Sequence, residues 1–268
     1  MKPYTTTRYA LSLSLPAYAG CRLKLAYFTD MHNCCRPEEA EEVMTRISIL
    51  KPDLVLCGGD SIVARPGEEV CDTVQFLLRI AQHFPLVIGT GNHEYRARLY
   101  PETYGSMYDD YREPLTGPDN ICLLENAQRL FTVNGVPMRL YGFDLPRSYY
   151  KRFRRKTVPA KEIGRVFGAP DRESVTILLS HNPASLPACM EWGANLTLCG
   201  HYHGGILRIG RHSGLVSPEF RPFPSNVYGH FQTEDKHGII SSGCGEHTIP
   251  LRIRNPREIV SIILIITD

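Results

Sequence analysis

A chain of 268 residues is long enough to bury a sizeable core, and one domain over 1–268 is the simplest division. With 43% hydrophobic and 22% charged residues, it is neither disordered nor collagen-like. A net charge of +2 gives no reason to expect a polyanionic partner such as nucleic acid.

The nine cysteines are odd in number and scattered, apart from the adjacent Cys34 and Cys35, and read as reduced thiols of a cytoplasmic protein. The first twenty residues pose a choice. Ala17-Tyr18-Ala19 resembles a signal-peptidase site behind Lys2 and Arg8, which would make a short cleaved leader. Leu11, Leu13 and Leu15 instead alternate with serines at period two, the mark of a half-buried strand, and the strand is preferred.

"RLKLAYFT" (22–29) is a strand, and Pro37 then opens a helix with Glu38 and Glu39 in its first turn and an apolar stripe of Ala40, Val43, Met44 and Ile47. A second strand, "DLVLC" (53–57), is followed by a helix carrying Val70, Val74, Leu77, Leu78 and Ala81. "LVIGT" (86–90) is a third strand, so the rhythm is that of an α/β layer. From Tyr95 to about Asn120 no periodicity stands out, which predicts a long loop. That stretch (95–120) and 146–172 are read as loop or cap insertions. Short strands at 130–133 and 138–143, the basic run "KRFRRK" (151–156) and a short helix at 160–167 come next. "SVTILLS" (174–180) and "NLTLC" (195–199) resume the core, with further strands near 206–209, 226–232, 238–242 and 259–266. The last of these is far shorter than the roughly 20 residues of a membrane span, so no transmembrane segment is expected.

Each core strand runs into a residue able to bind metal or move a proton. These are Asp30 and His32 in "FTDMH", Asp60 in "CGGD", Asn92 and His93 in "GTGNHE", His181 in "LLSHN", and His201 with His203 in "CGHYHGG". The carboxyl ends of neighbouring strands in an α/β sheet share one crevice, so these tips should converge. Taken singly, a histidine is more often a core or surface residue, and an aspartate after a strand a helix cap. Their joint placement outweighs that reading, and the flanking glycines imply tight turns around the same crevice. Carboxylates, an amide and several imidazoles without paired cysteines suit Mn, Fe or Zn better than Ca or Mg. They are also too many for one tetrahedral ion; two ions sharing a carboxylate, about 3.5–4 Å apart, account for the number.

The ordered series D-x-H, GGD, GNHE, H and GHYHGG, from Asp30 to Gly205, resembles the calcineurin-like metallophosphoesterases. The glycine pair after GHYH and "SSGCGEHTIPLRIRNPREIV" near the C-terminus are similar to a bacterial subgroup of small phosphoesterases, many with an N-terminal membrane or export segment that this chain is expected to lack. The resemblance implies two β-sheets packed as a sandwich and flanked by helices. It implies two divalent ions, Asp30, His32, Asp60 and His203 on the first and Asp60, Asn92, His181 and His201 on the second, with Asp60 bridging. It further implies hydrolysis of a small-molecule or lipid-linked phosphate ester, a diester or a monoester, by a metal-bridging hydroxide, with His93 assisting the leaving group. On an extended segment the spacing of His201 and His203 would send both to one side, one to each ion. Arg96, Gly204 and Gly205 are candidate substrate contacts, although a basic loop is more often a solvated face.

The chain departs from the pattern at Val63, where many relatives carry an acid three positions after the bridging aspartate, and at Ile206, where the subgroup often has glutamine. The first departure leaves His93 without an assigned partner. Cys34 and Cys35 are read as loop or buried thiols, and His83, His212, His230, His237 and His247 as structural or surface residues. The rival readings are a nuclease, which would need a longer basic groove, and a catalytically silent metal-binding scaffold, for which a retained His93 has no use.

Overall fold

The computed structural model describes residues 4–33, 36–150, 158–205, 207–210, 212–215, 223–246 and 252–268. Cys34, Cys35, the 151–156 run, Ile206 and His247 lie outside the described residues.

One six-stranded sheet holds β1 (Tyr4–Ser14), β2 (Arg22–Phe28), β3 (Leu54–Cys57), β4 (Leu86–Gly89), β5 (Ile121–Leu124) and β12 (Arg257–Thr267), in the order β1-β12-β2-β3-β4-β5. The other six-stranded sheet holds β6 (Ala127–Val133), β7 (Val136–Gly142), β8 (Val175–Leu179), β9 (Leu196–Cys199), β10 (Gly229–Thr233) and β11 (Lys236–Ile240), in the order β10-β11-β9-β8-β7-β6. β2 to β5 are parallel, as the strand–helix rhythm requires. β12 lies between β1 and β2, parallel to the first (Tyr4↔Arg257 through Ser14↔Thr267) and antiparallel to the second. The N-terminal stretch is therefore the strand its serine–leucine alternation predicts.

Period-two alternation builds the layers. Leu23, Leu25 and Tyr27 of β2 and Leu54 and Leu56 of β3 meet Ile177 and Leu179 of β8 and Leu196 and Leu198 of β9 between the sheets. The opposite side chains of the first sheet, among them Ala26, Phe28, Val55 and Ile88, pack on Val43 and Ile47 of α1 (Pro37–Leu50) and on Val74 and Leu77 of α2 (Cys71–Ala81). Leu178 on the outer face of the second sheet packs with Ile163 of α6 (Ala160–Phe167) and Ala188 of α7 (Leu186–Trp192). The result is helices, sheet, sheet, helices. Among the described residues, no helix is long and apolar enough to cross a membrane, and Cys21, Cys57, Cys71, Cys122, Cys189, Cys199 and Cys244 are free thiols.

The long loop predicted for 95–120 is helical instead. It holds most of α3 (Asn92–Leu99), then α4 (Pro101–Tyr104) and α5 (Met107–Thr116). Each is too short to show a period, and Pro101, Gly105 and Pro114 read as breakers. Pro101 in fact starts a helix, and α5 buries Met107, Tyr108, Tyr111 and Leu115 despite Pro114. β5 has no counterpart among the expected strands. The strand expected near 206–209 is reduced, among the described residues, to isolated bridges of Leu207 with Ile253 and Arg208 with Gly214.

Candidate metal centre

Two sheets, rather than one, bring the polar strand ends together. Asp30, Asp60 and Asn92 follow β2, β3 and β4, whereas His181 and His201 follow β8 and β9. The loops beyond the strands continue to pair: Asp30 N–H donates to Gly59 O at 2.9 Å, His32 N–H to Asp60 O at 3.0 Å and Gly200 N–H to His181 O at 2.9 Å.

Sharp reversals aim the side chains inward. Asp30, His32, Asp60, His201 and His203 all have positive φ, between 47° and 64°, a region that non-glycine residues seldom occupy and that clusters at functional sites. The 201–205 segment is thus a tight turn, which corrects the expectation that His201 and His203 sit on an extended stretch. A side chain at Gly200 would overlap the Asp30 carboxylate, and one at Gly91 the Asp60 carboxylate, so both positions need a bare backbone.

Three groups of possible ligand atoms lie within 4.8 Å of one another: Asp30, His32 and His203; His32, Asp60 and His93; and Asp60, His181 and His201. Asp30 and Asp60 are almost wholly buried. His203 Nε2 is 3.2 Å from Asp30 Oδ1 and 3.0 Å from His32 Nε2, and His181 Nε2 is 3.0 Å from Asp60 Oδ2. Asn92 Oδ1 is buried with no hydrogen-bond partner among the described residues, a lone pair left for something those residues do not provide.

The electrostatics fit a cation. Burial alone would raise both carboxyls, yet His203 and His181 hold Asp30, and His181 and His93 hold Asp60, far below the usual carboxylate range. Against the effect of burial, Asp60 and Asp30 push His181 up to about 10. Burial presses His93 and His203 down to about 3. A pocket of two ionised carboxylates and facing imidazole nitrogens has the donor chemistry of a borderline divalent ion.

The distal nitrogens fix the tautomers. His181 Nδ1 lies 2.9 Å from Gly58 O, which can only accept, so Nδ1 carries a proton and Nε2 is the nitrogen turned toward the pocket. His93 Nδ1 accepts the Ala64 N–H at 2.9 Å and faces Arg96 Nη2 at 3.3 Å, so the neutral ring carries its proton on Nε2. His93 thus has the partner left open by Val63. Arg96, the candidate substrate contact, also donates to Ala64 O at 2.6 Å. Gly204 and Gly205 have φ of 66° and 72°, and Asn255 Nδ2 donates to the carbonyls of His203 and Gly205 at 2.5 and 2.6 Å.

Some residues around the site carried no sequence-based role. Glu94 stands in plain view in "GNHE". Its buried carboxylate accepts from the N–H groups of Asp60 (2.9 Å), Ser61 (2.6 Å), Ile62 (3.2 Å) and Gly91 (3.0 Å), holding the β3 and β4 loops in register. Burial and the charge of Asp60 push it up to about 7. Glu94→Gln, which turns an N–H donor onto these donors, is expected to cost about 1–3 kcal/mol of stability in urea unfolding. The Tyr150 ring meets that of His201 edge-on at 5.1 Å, and burial with Asp60 keeps its phenol protonated. The loop after β11 closes over Asp30, with Gly245 N–H donating to Asp30 O at 2.6 Å, and the quoted C-terminal stretch supplies Arg252.

A sequence profile of the calcineurin-like phosphoesterases matches residues 23–205. An uncharacterized metallophosphoesterase of Bacillus subtilis (strain 168), YkuE, is 23% identical over 95% of this chain and 83% of its own. An uncharacterized metallophosphoesterase of Helicobacter pylori (strain ATCC 700392 / 26695) is 27% identical over 91% of this chain, which spans only 60% of that relative. Among solved structures, a 5'-nucleotidase precursor from Thermus thermophilus superposes with a TM-score of 0.53 at 13% identity over 91% of this chain and 54% of that one. TT1561 of the same organism gives 0.51 at 9% identity, over 83% and 90%. These likenesses show a shared fold, and the matched profile covers the strands and loops that carry the metal centre: the chain belongs to the calcineurin-like phosphoesterase family, hydrolases of phosphoric ester bonds.

Proposed function

We propose that this chain is a dinuclear metal-dependent hydrolase of a small-molecule or lipid-linked phosphate ester, in which Asp60 is shared between two ions. The observation that carries the reading is the overlap of the ligand groups: Asp60 belongs with His181 and His201 on one side and with His32 and His93 on the other, while Asp30, His32 and His203 close the far side. The first ion would take Asp30, His32, Asp60 and His203, and the second Asp60, Asn92, His181 and His201. When bound, such a pair lowers the pKa of coordinated water and polarises phosphoryl oxygens.

The chain's own groups do the rest. Asp30 and Asp60 bring two negative charges that remain ionised, so the pocket can hold cations and still admit an anionic ester. His93 presents Nε2–H to the leaving oxygen, its ring held by the Ala64 N–H. Glu94 and the left-handed turns keep the ligands in place before substrate arrives.

Metal analysis of the purified protein, paired with rates on a phosphomonoester and a phosphodiester with and without chelator, tests this. The expected result is about two divalent ions per chain and a rate lost to chelator and restored by Mn, Fe or Zn. Metal-independent hydrolysis, or full metal content without turnover of either ester class, would refute the reading.

A further inference from the structure

Resting on that ligand partition, we infer that Arg252 competes with the first ion for His203, so that the centre fills in order, second site first. Arg252 is 2% exposed at its side chain. Its Nη1 donates to Ser242 O at 2.9 Å, and its Nη2 donates to Gly245 O at 2.5 Å and reaches His203 Nδ1 at 3.3 Å. A guanidinium can only donate, so His203 Nδ1 must accept. A neutral imidazole has one accepting nitrogen. It cannot offer a lone pair to Arg252 at Nδ1 and another to a cation at Nε2, the nitrogen that faces Asp30 and His32.

His181, in the second site, has the opposite arrangement. Its Nδ1 meets the carbonyl of Gly58, so Nδ1 is the donor and Nε2, which faces Asp60, is the nitrogen left for an ion. One site is therefore prepared by its surroundings and the other opposed by them; Glu246 Oε2, 3.9 Å from Arg252 Nε, offsets the guanidinium charge, so the opposition lies in the hydrogen bond to Nδ1. Arg252 acts through His203; it is a positioning residue that keeps the first ion exchangeable.

The test is a calorimetric titration of metal-free protein with Co2+, with the visible spectrum followed alongside. Wild type is expected to take two ions in separate steps at least tenfold apart, the weak step absent in His203→Ala and the tight step absent in His181→Ala. In Arg252→Met and Arg252→Gln the weak step should tighten by roughly tenfold or more, the size of effect seen for partners of metal ligands, with the tight step unchanged. Two ions of equal affinity, a weak step that belongs to His181, or folded Arg252 variants that leave the first site unchanged or weaker would overturn the inference and leave the two-ion reading standing. Fewer than two ions in wild type would end both. Circular dichroism melts identify a variant that fails to fold, and the order of filling in wild type then decides alone.

Discussion

Asp60→Asn is expected to lower kcat by on the order of 10³-fold or more, the loss of several kcal/mol of charge stabilisation, and to leave the purified protein short of metal. The amide keeps the shape but gives up the charge that offsets two dications. Both carboxylate oxygens are engaged: Oδ2 faces His181 Nε2 at 3.0 Å, and Oδ1 accepts the His93 N–H at 2.8 Å. The variant should therefore disturb both ion sites and the backbone that carries His93. Metal content and kcat measured on one preparation check it; normal metal content with near-normal turnover would remove Asp60 from the shared position.

His93→Gln should separate chemistry from metal binding. Metal content is expected to stay at the wild-type level while the rate on an ester with a poor leaving group falls by about 10²–10³-fold, the usual worth of one hydrogen-bond donor positioned at a developing anion. A p-nitrophenyl ester, whose leaving group needs no proton, should lose far less. Equal losses on the two would give His93 some other task. The same variant has a signature in stability. Burial holds His93 at about 3 in the fold, against about 6.5 when unfolded. The unfolded chain thus binds the extra proton below pH 6.5, and the contribution of neutral His93 is complete above that pH and lost as pH falls toward 3. Glu94 and Asp144, raised to about 7 and 6, act in the opposite sense, so the quantity to compare is the difference between variant and wild type. Metal-free His93→Gln should lose less stability than wild type between pH 6.5 and 4.5 in urea titrations.

Strands and site were legible for different reasons. β3, β4, β8 and β9 are apolar runs buried on both faces, as β2 is from Leu25 on, and the residues just past them are chemically conspicuous, so Asp30, Asp60, Asn92, His181, His201 and His203 could be named as candidates from order alone. Periodicity could not show that the tips come from two sheets, because pairing partners leave no trace in a parallel strand buried on both sides. The helices at 92–116 were hidden by their brevity and their prolines. The partners of His93 and His181 are the Ala64 N–H and the Gly58 carbonyl, backbone groups that carry no side-chain signature and that no motif can mark. The left-handed turn at His201 and His203 was likewise beyond spacing arguments, since neither residue type announces positive φ.

The insertion of β12 between β1 and β2 bears on how the chain is made. Until residues 257–267 have left the ribosome, β1 has no neighbour in its sheet, and β2 shows the nascent chain an open apolar edge. The loop that closes on Asp30 through Gly245 is also translated late. Much of the polypeptide must therefore wait with the place between β1 and β2 unfilled, its strand edges unpaired until β12 arrives.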